Sequence, residues 1–142
     1  MAAGKTPKTP IVIVHALADA LAALQAARAA GCRIVLASAE GAGTSAGPLW
    51  FRALVEAAEE REGAALAGAM IDCGPYPGPV MESLELGFTR IRFTGERRLA
   101  KKLSAMADAR GALLITGKVG AFDTLDNTNP KDDLEAWLRG QS

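Results

Sequence analysis

The chain has 142 residues, 49% of them hydrophobic, and its sixteen basic and sixteen acidic side chains cancel. That length fits one domain, which buries roughly 70% of its unfolded surface and folds without metal or disulfide staples. Zero net charge supplies no global field for nucleic acid or an anionic membrane, and no run approaches the ~18 consecutive apolar residues of a membrane span.

Residues 1–10, ending Lys5-Thr6-Pro7-Lys8-Thr9-Pro10, hold charge and proline but no apolar h-region. They read as a flexible lead-in and not as a signal peptide, which leaves 11–142 as a single α/β domain of a soluble, cytoplasmic protein. Ile11-Val12-Ile13-Val14 is a β-branched apolar run, and Leu17, Leu21 and Leu24 then give a helical stripe that stops at Gly31. Ile34-Val35-Leu36-Ala37 is the second strand. Gly47-Pro48 opens a helix that turns Phe51, Leu54, Val55 and Ala58 inward. Leu66 to Ile71 is the third strand, and Gly78-Pro79 repeats the start signal before Val80, Met81 and Leu84, with Gly87 as the stop. Ile91-Arg92-Phe93 is the fourth strand and the least uniformly apolar, so partial exposure is expected there. Glu96 to Arg110 is a helix with Leu99, Leu103 and Met106 on one face, and Leu113-Leu114-Ile115 is the fifth strand. Asn129 caps a last helix that starts at Pro130, places Asp132 and Asp133 where its dipole favours them, and buries Leu134, Trp137 and Leu138.

Strands this apolar, alternating with helices, predict a five-stranded parallel sheet of (βα)5 units with right-handed crossovers. Five units cannot close an eight-stranded barrel. The sheet is therefore expected to be open and flavodoxin-like, which buries both faces within one chain; the alternative is a partial TIM barrel that exposes its inner face or completes it with another subunit. Cys32 enters a strand and Cys73 leaves one, so they lie at opposite ends of the sheet, too far apart for a disulfide, and two free thiols are expected. In either arrangement ligands bind outside the carboxyl ends of the strands. This directs attention to His15, Ser38, Glu40, Asp72, Cys73, Thr94 and Thr116.

From His15 to Gly95 the order of signals resembles the first part of a class II fructose-bisphosphate aldolase barrel. The family has a first strand ending in a polar residue, then an acid and a helix, like His15, Asp19 and the helix after it. Its second strand runs into a glycine-rich turn similar to Ser38-Ala39-Glu40-Gly41-Ala42-Gly43-Thr44-Ser45-Ala46-Gly47. Its third strand ends in Asp-His-Gly, which here is Asp72-Cys73-Gly74, and Glu85-Leu86-Gly87-Phe88-Thr89-Arg90-Ile91 is close to its next helix end and strand. The resemblance implies a proton-transfer role for Asp72 and puts Cys73 where the family has a metal-binding histidine. The family's other metal-binding histidines lie in the later half of its barrel, whereas this chain has His15 alone. Neither a metal site of that type nor ordinary metal-dependent aldolase activity is expected.

Taken on their own chemistry, His15, Asp72 and Cys73 would form a catalytic group of base, orienting acid and thiolate if they converged. Against that, a lone strand-end cysteine is usually a small buried hydrophobe, and Asp72 has an equally good use as an Asx cap on the Gly74-Pro75 turn. His15 and Cys73 with Glu40 or Asp72 are zinc-type donors, but no close Cys or His pair supports the site, so no metal and no other cofactor is expected. The 41–47 turn could offer the backbone N–H groups of Gly41 and Gly43 to an anion, although it misses the dinucleotide-binding spacing. Gly117-Lys118-Val119-Gly120 is not a P-loop. Arg90, Arg92, Arg97, Arg98, Lys101 and Lys102 make a local basic cluster, ordinarily a solvated face. The sequence thus predicts an aldolase-like domain without aldolase activity that binds a small polar or anionic ligand through Ser38, Glu40, Gly41, Gly43, Thr94 and Thr116. One alternative is a metal-free lyase, isomerase or thiol enzyme using Asp72, Cys73 and His15; another is a homo-oligomeric or partner-binding assembly protein. No nucleic acid or membrane partner is expected.

Overall fold

The computed structural model describes residues 9–126 and 130–140; the lead-in up to residue 8 and the Asn129 cap lie outside the described residues. Pro10, just before the first strand, is hydrogen-bonded to the sheet, its carbonyl accepting from the Val35 N–H at 2.9 Å. The strands are β1 (Ile11–Ile13), β2 (Ile34–Ala37), β3 (Leu66–Asp72), β4 (Arg90–Arg92), β5 (Leu113–Ile115) and β6 (Phe122–Asp123). The helices are α1 (Leu17–Ala30), α2 (Ala42–Ser45), α3 (Pro48–Glu62), α4 (Pro77–Glu85), α5 (Arg97–Ala109) and α6 (Pro130–Arg139). Every expected strand and helix is present. The fourth helix unit starts at Pro77, two residues before the expected Pro79, because Tyr76 is still extended and Pro77 supplies the fixed φ of the first helical position.

All strand pairs are parallel, in the order β5-β4-β3-β2-β1-β6. The five expected strands are joined by a sixth, two residues long, beside β1. Neighbours in sequence are neighbours in the sheet from β1 to β5, as in a barrel, whereas a flavodoxin-like order would place β1 between β2 and β3. Right-handed crossovers between successive neighbours put every helix on the same face. One continuous core results, in which Val12, Leu36, Ile71, Ile91 and Leu114 of the strands meet Leu24, Phe51, Val80, Leu103 and Leu138 of the helices. The face of α1 buried here is mostly alanine, which lets α3 and α6 pack closely against it. Met81 and Met106, expected inward, are 43% and 42% exposed, because α4 and α5 each lie against the sheet with one narrow stripe.

Among the described residues no helix lies on the opposite, inner face. Its apolar patch is Val35, Ala37 and Met70, with Ile11, Ile13, Ile115 and Val119 against it. Val119 comes from the segment 116–121, which links β5 to β6 and crosses this face. The sheet is open, with β5 and β6 as its edges, and has the strand order of part of a TIM barrel.

Candidate functional site

Successive strand residues point to opposite faces. Along β3, Ile71 and Cys73 therefore enter the helix-side core while Met70 and Asp72 turn to the inner face. The register sets Asp72 opposite Arg92, and the Arg92 Nη1 donates to the Asp72 Oδ2 at 3.0 Å. The Asp72 Oδ1 accepts from the backbone N–H of Gly41 at 3.1 Å and of Gly74 at 2.9 Å, the second being the Asx cap weighed above. Ser38, itself buried, accepts from the Asp72 N–H at 2.9 Å through its hydroxyl. Asp72 thus ties β2, β3, β4 and the turn before α2 into one corner.

Beside that corner is a hollow of about 210 Å³ at the carboxyl ends of the strands, with Ser38, Glu40, Asp72, Arg92 and Val119 in its wall. The Arg92 Nε is buried and has no hydrogen-bond partner, although the same guanidinium is paired through Nη1. A buried N–H left without an acceptor costs about 1–3 kcal/mol. Sequence reasoning placed Arg92 in a solvated basic cluster. The alternation Arg90-Ile91-Arg92-Phe93 held the missing signal, since Ile91 and Phe93 are fully buried toward the helices and force both arginines onto the other face.

The other expected ligand-binding residues divide. Ser38 and Glu40 line the hollow. Gly41 offers its N–H to Asp72, and the amides of Ala42, Thr44, Ser45, Ala46 and Gly47 are all taken by carbonyls of the same turn, so that turn has little left to give an anion. Gly43 is buried against β3: a Cβ there would lie 3.0 Å from both the Asp72 carbonyl oxygen and the Cys73 Sγ. Thr94 and Thr116 are exposed and outside the wall of the hollow.

The three residues considered for catalysis are not gathered. His15 pairs instead with Asp123, its Nε2 lying 2.7 Å from the Oδ1, a partner on the short β6 that no apolar run or periodicity announces. Cys73 is completely buried beside Ser83, with 3.7 Å between Sγ and Oγ. Burial pushes its thiol up to about 11 from an ordinary 9.0; the hydrogen bond with Ser83 opposes the shift and the negative charges of Asp72 and Glu82 add to it. A raised acid pKa in the folded state means that stability is fully present below about pH 9 and declines as the unfolded chain ionises first. Urea titrations should show a loss between pH 9 and 11 approaching roughly 2–3 kcal/mol, absent in Cys73→Ala. An unchanged slope in that variant would show that the thiol does not titrate this way.

At the opposite end of the sheet a wider hollow of about 600 Å³ borders Arg28, Cys32 and Arg33. Its cations are already engaged, Arg28 with Glu62 at 3.3 Å and Arg33 with the Leu66 carbonyl at 2.7 Å. It lies at the amino ends of the strands, where barrel folds keep residues for stability and not for binding. Both cysteines are free thiols. Among the described residues no group of three His, Cys, Asp or Glu side chains is arranged to hold a metal, and no helix is long and apolar enough to cross a membrane.

No family model matches the chain, and no curated protein matches it. Among solved structures it is similar to a protein from Coccidioides immitis assigned as a fructose-1,6-bisphosphate aldolase, with a TM-score of 0.61 and 21% identity over 75% of this chain. The matched region spans 44% of that protein's chain. The likeness is one of fold, an aldolase-like α/β architecture. Cys73, which stands where the aldolase resemblance puts a metal-binding histidine, belongs to the helix-side core, on the opposite face from the hollow.

Proposed function

We propose that this domain binds a small polar or anionic ligand in the hollow at the carboxyl ends of the strands, with Arg92 as its anchor. The observation that carries this reading is the buried Arg92 Nε, which has no hydrogen-bond partner, on a side chain that lines that hollow. Asp72 holds the guanidinium in place through Nη1, and a planar fork so fixed suits a carboxylate, phosphate or carbonyl oxygen. Glu40 and Asp72 make a bare, highly charged anion unwelcome and favour one that also carries hydroxyl groups, for which carboxylates are acceptors. The hollow is smaller than the ~300–1,000 Å³ of drug-sized pockets, so the ligand has a few carbons. Hydroxy acids and short phosphosugars meet these conditions.

A thermal-shift panel of hydroxy acids, phosphosugars and nucleotides, run on the native protein and on Arg92→Met, tests the proposal. Ligand at about a hundred times its Kd stabilises the native state by about 2.7 kcal/mol through mass action. The expected result is a hit in the native protein whose apparent affinity falls at least tenfold in the variant, each read against its own baseline. An equal shift in both proteins would remove Arg92 from the site.

The pair formed by His15 and Asp123 supports a second reading, a metal-free proton-transfer enzyme. An ionised Asp123 only accepts, so it fixes the proton on Nε2 and leaves Nδ1 as a base. Retro-aldol cleavage of fructose 1,6-bisphosphate is not expected under either reading, and turnover lost on chelation would overturn that expectation.

A further inference from the structure

We propose that the segment 116–121 is a strap that gates the inner-face hollow, with the Val119 side chain as its latch. The proposal rests on the reading of that hollow as a binding site and adds how it is opened. Three observations carry it. The strap forms part of the wall, through Val119 and Ala121, so a ligand and the strap cannot move independently. Among the described residues, none from 116 to 121 makes a hydrogen bond, whereas both ends are fastened. Ile115 accepts from the Phe93 N–H at 3.0 Å on one side; Thr124 donates to the Ile13 carbonyl at 2.9 Å, and Asp123 holds His15, on the other. The middle of the strap is held by one apolar side chain, Val119, set against Val35, Ala37 and Met70.

The burial pattern agrees. Ala37 and Met70 are 0% and 3% exposed on the inner face, where Val119 of the strap packs against their patch together with Ile11, Ile13 and Ile115. Segments with few buried contacts and no backbone hydrogen bonds open at the low end of the local stability scale. Lifting 116–121 takes Val119 off the inner-face patch and breaks none of the strand pairs of the sheet.

The test uses two thiols, one on β3 and one just after it. In a Cys32→Ser, Met70→Cys protein, the thiol at position 70 lies on the inner face in the patch that Val119 packs against, and Cys73 lies fully buried in the helix-side core. Alkylation at each is followed by peptide mapping and divided by its rate in the urea-unfolded chain. The expected result is a normalised rate at position 70 at least tenfold above that at Cys73, rising a further three- to tenfold on Val119→Ala. Equal normalised rates at the two thiols, or no response to Val119→Ala, would overturn the proposal. Should Met70→Cys fail to fold, Ala37→Cys reports from the same face. No ligand enters this experiment, so its failure leaves the binding proposal standing, and a failed ligand panel leaves the strap result standing.

Discussion

Asp72→Ala is expected to destabilise the domain by about 3–5 kcal/mol, the largest effect of any single polar substitution here. The carboxylate receives three hydrogen bonds, from Gly41 N, Gly74 N and Arg92 Nη1, and its side chain is only 6% exposed. Alanine leaves two backbone donors without acceptors and a largely buried guanidinium without its counter-charge. In a domain of this size the melting temperature should fall by more than about 8 °C. Asp72→Asn keeps an acceptor oxygen for the two amides but loses the charge toward Arg92, so it should fall between the two. Equal melting temperatures for native protein and Asp72→Ala would mean that the corner is not formed in solution. A ligand hit that disappears in Asp72→Ala would therefore not locate the site, since the variant disturbs the fold that builds it; Arg92 is the better probe.

Gly43→Val is expected to cost about 2–3 kcal/mol by overpacking. Its Cβ would stand 3.0 Å from the Asp72 carbonyl oxygen, 3.0 Å from the Cys73 Sγ and 3.2 Å from the Cys73 Cα, and two of those three atoms are backbone at the end of β3 and the residue after it. Neither side can give without shifting α2 off β3. Gly68→Ala provides the contrast. There the obstructing atom is the Arg90 Nη1, the far end of a long side chain on the inner face, which can swing aside. Chemical denaturation should show the first change to be costly and the second nearly neutral. The reverse ranking would contradict the close approach of α2 to β3 and assign Gly43 back to ligand contact.

Much of this architecture was legible because apolar runs and proline starts are local signals. Five strands could be placed from runs such as Ile34–Ala37 and Leu113–Ile115, and Pro48 announced α3. Strand order was harder, since it depends on which strand faces are covered. The clue lay in β3 and β4, where Gly68, Asp72, Arg90 and Arg92 share one face and Ile71 and Ile91 the other, the one-sided polarity of a sheet with helices on a single side. The two residues of β6 carry no periodicity, and their place is set by long-range pairing with Val12 and Ile13. The aldolase resemblance anticipated the barrel-type fold and drew attention to Asp72 and Cys73 together. Period-two alternation already separates adjacent strand residues, and it sends Cys73 into the core.

Heteronuclear NMR of the native protein, following the Arg92 Nε–H resonance and the backbone amides during titration with glycerate and glycerol phosphate, is the decisive test of binding at Arg92. A saturable shift of that side-chain resonance is expected, with amide shifts grouped at 38–41, 72–74 and 116–121. Shifts confined to the opposite hollow around Arg28 and Arg33, or a ligand hit that leaves the Arg92 resonance unmoved, would contradict it.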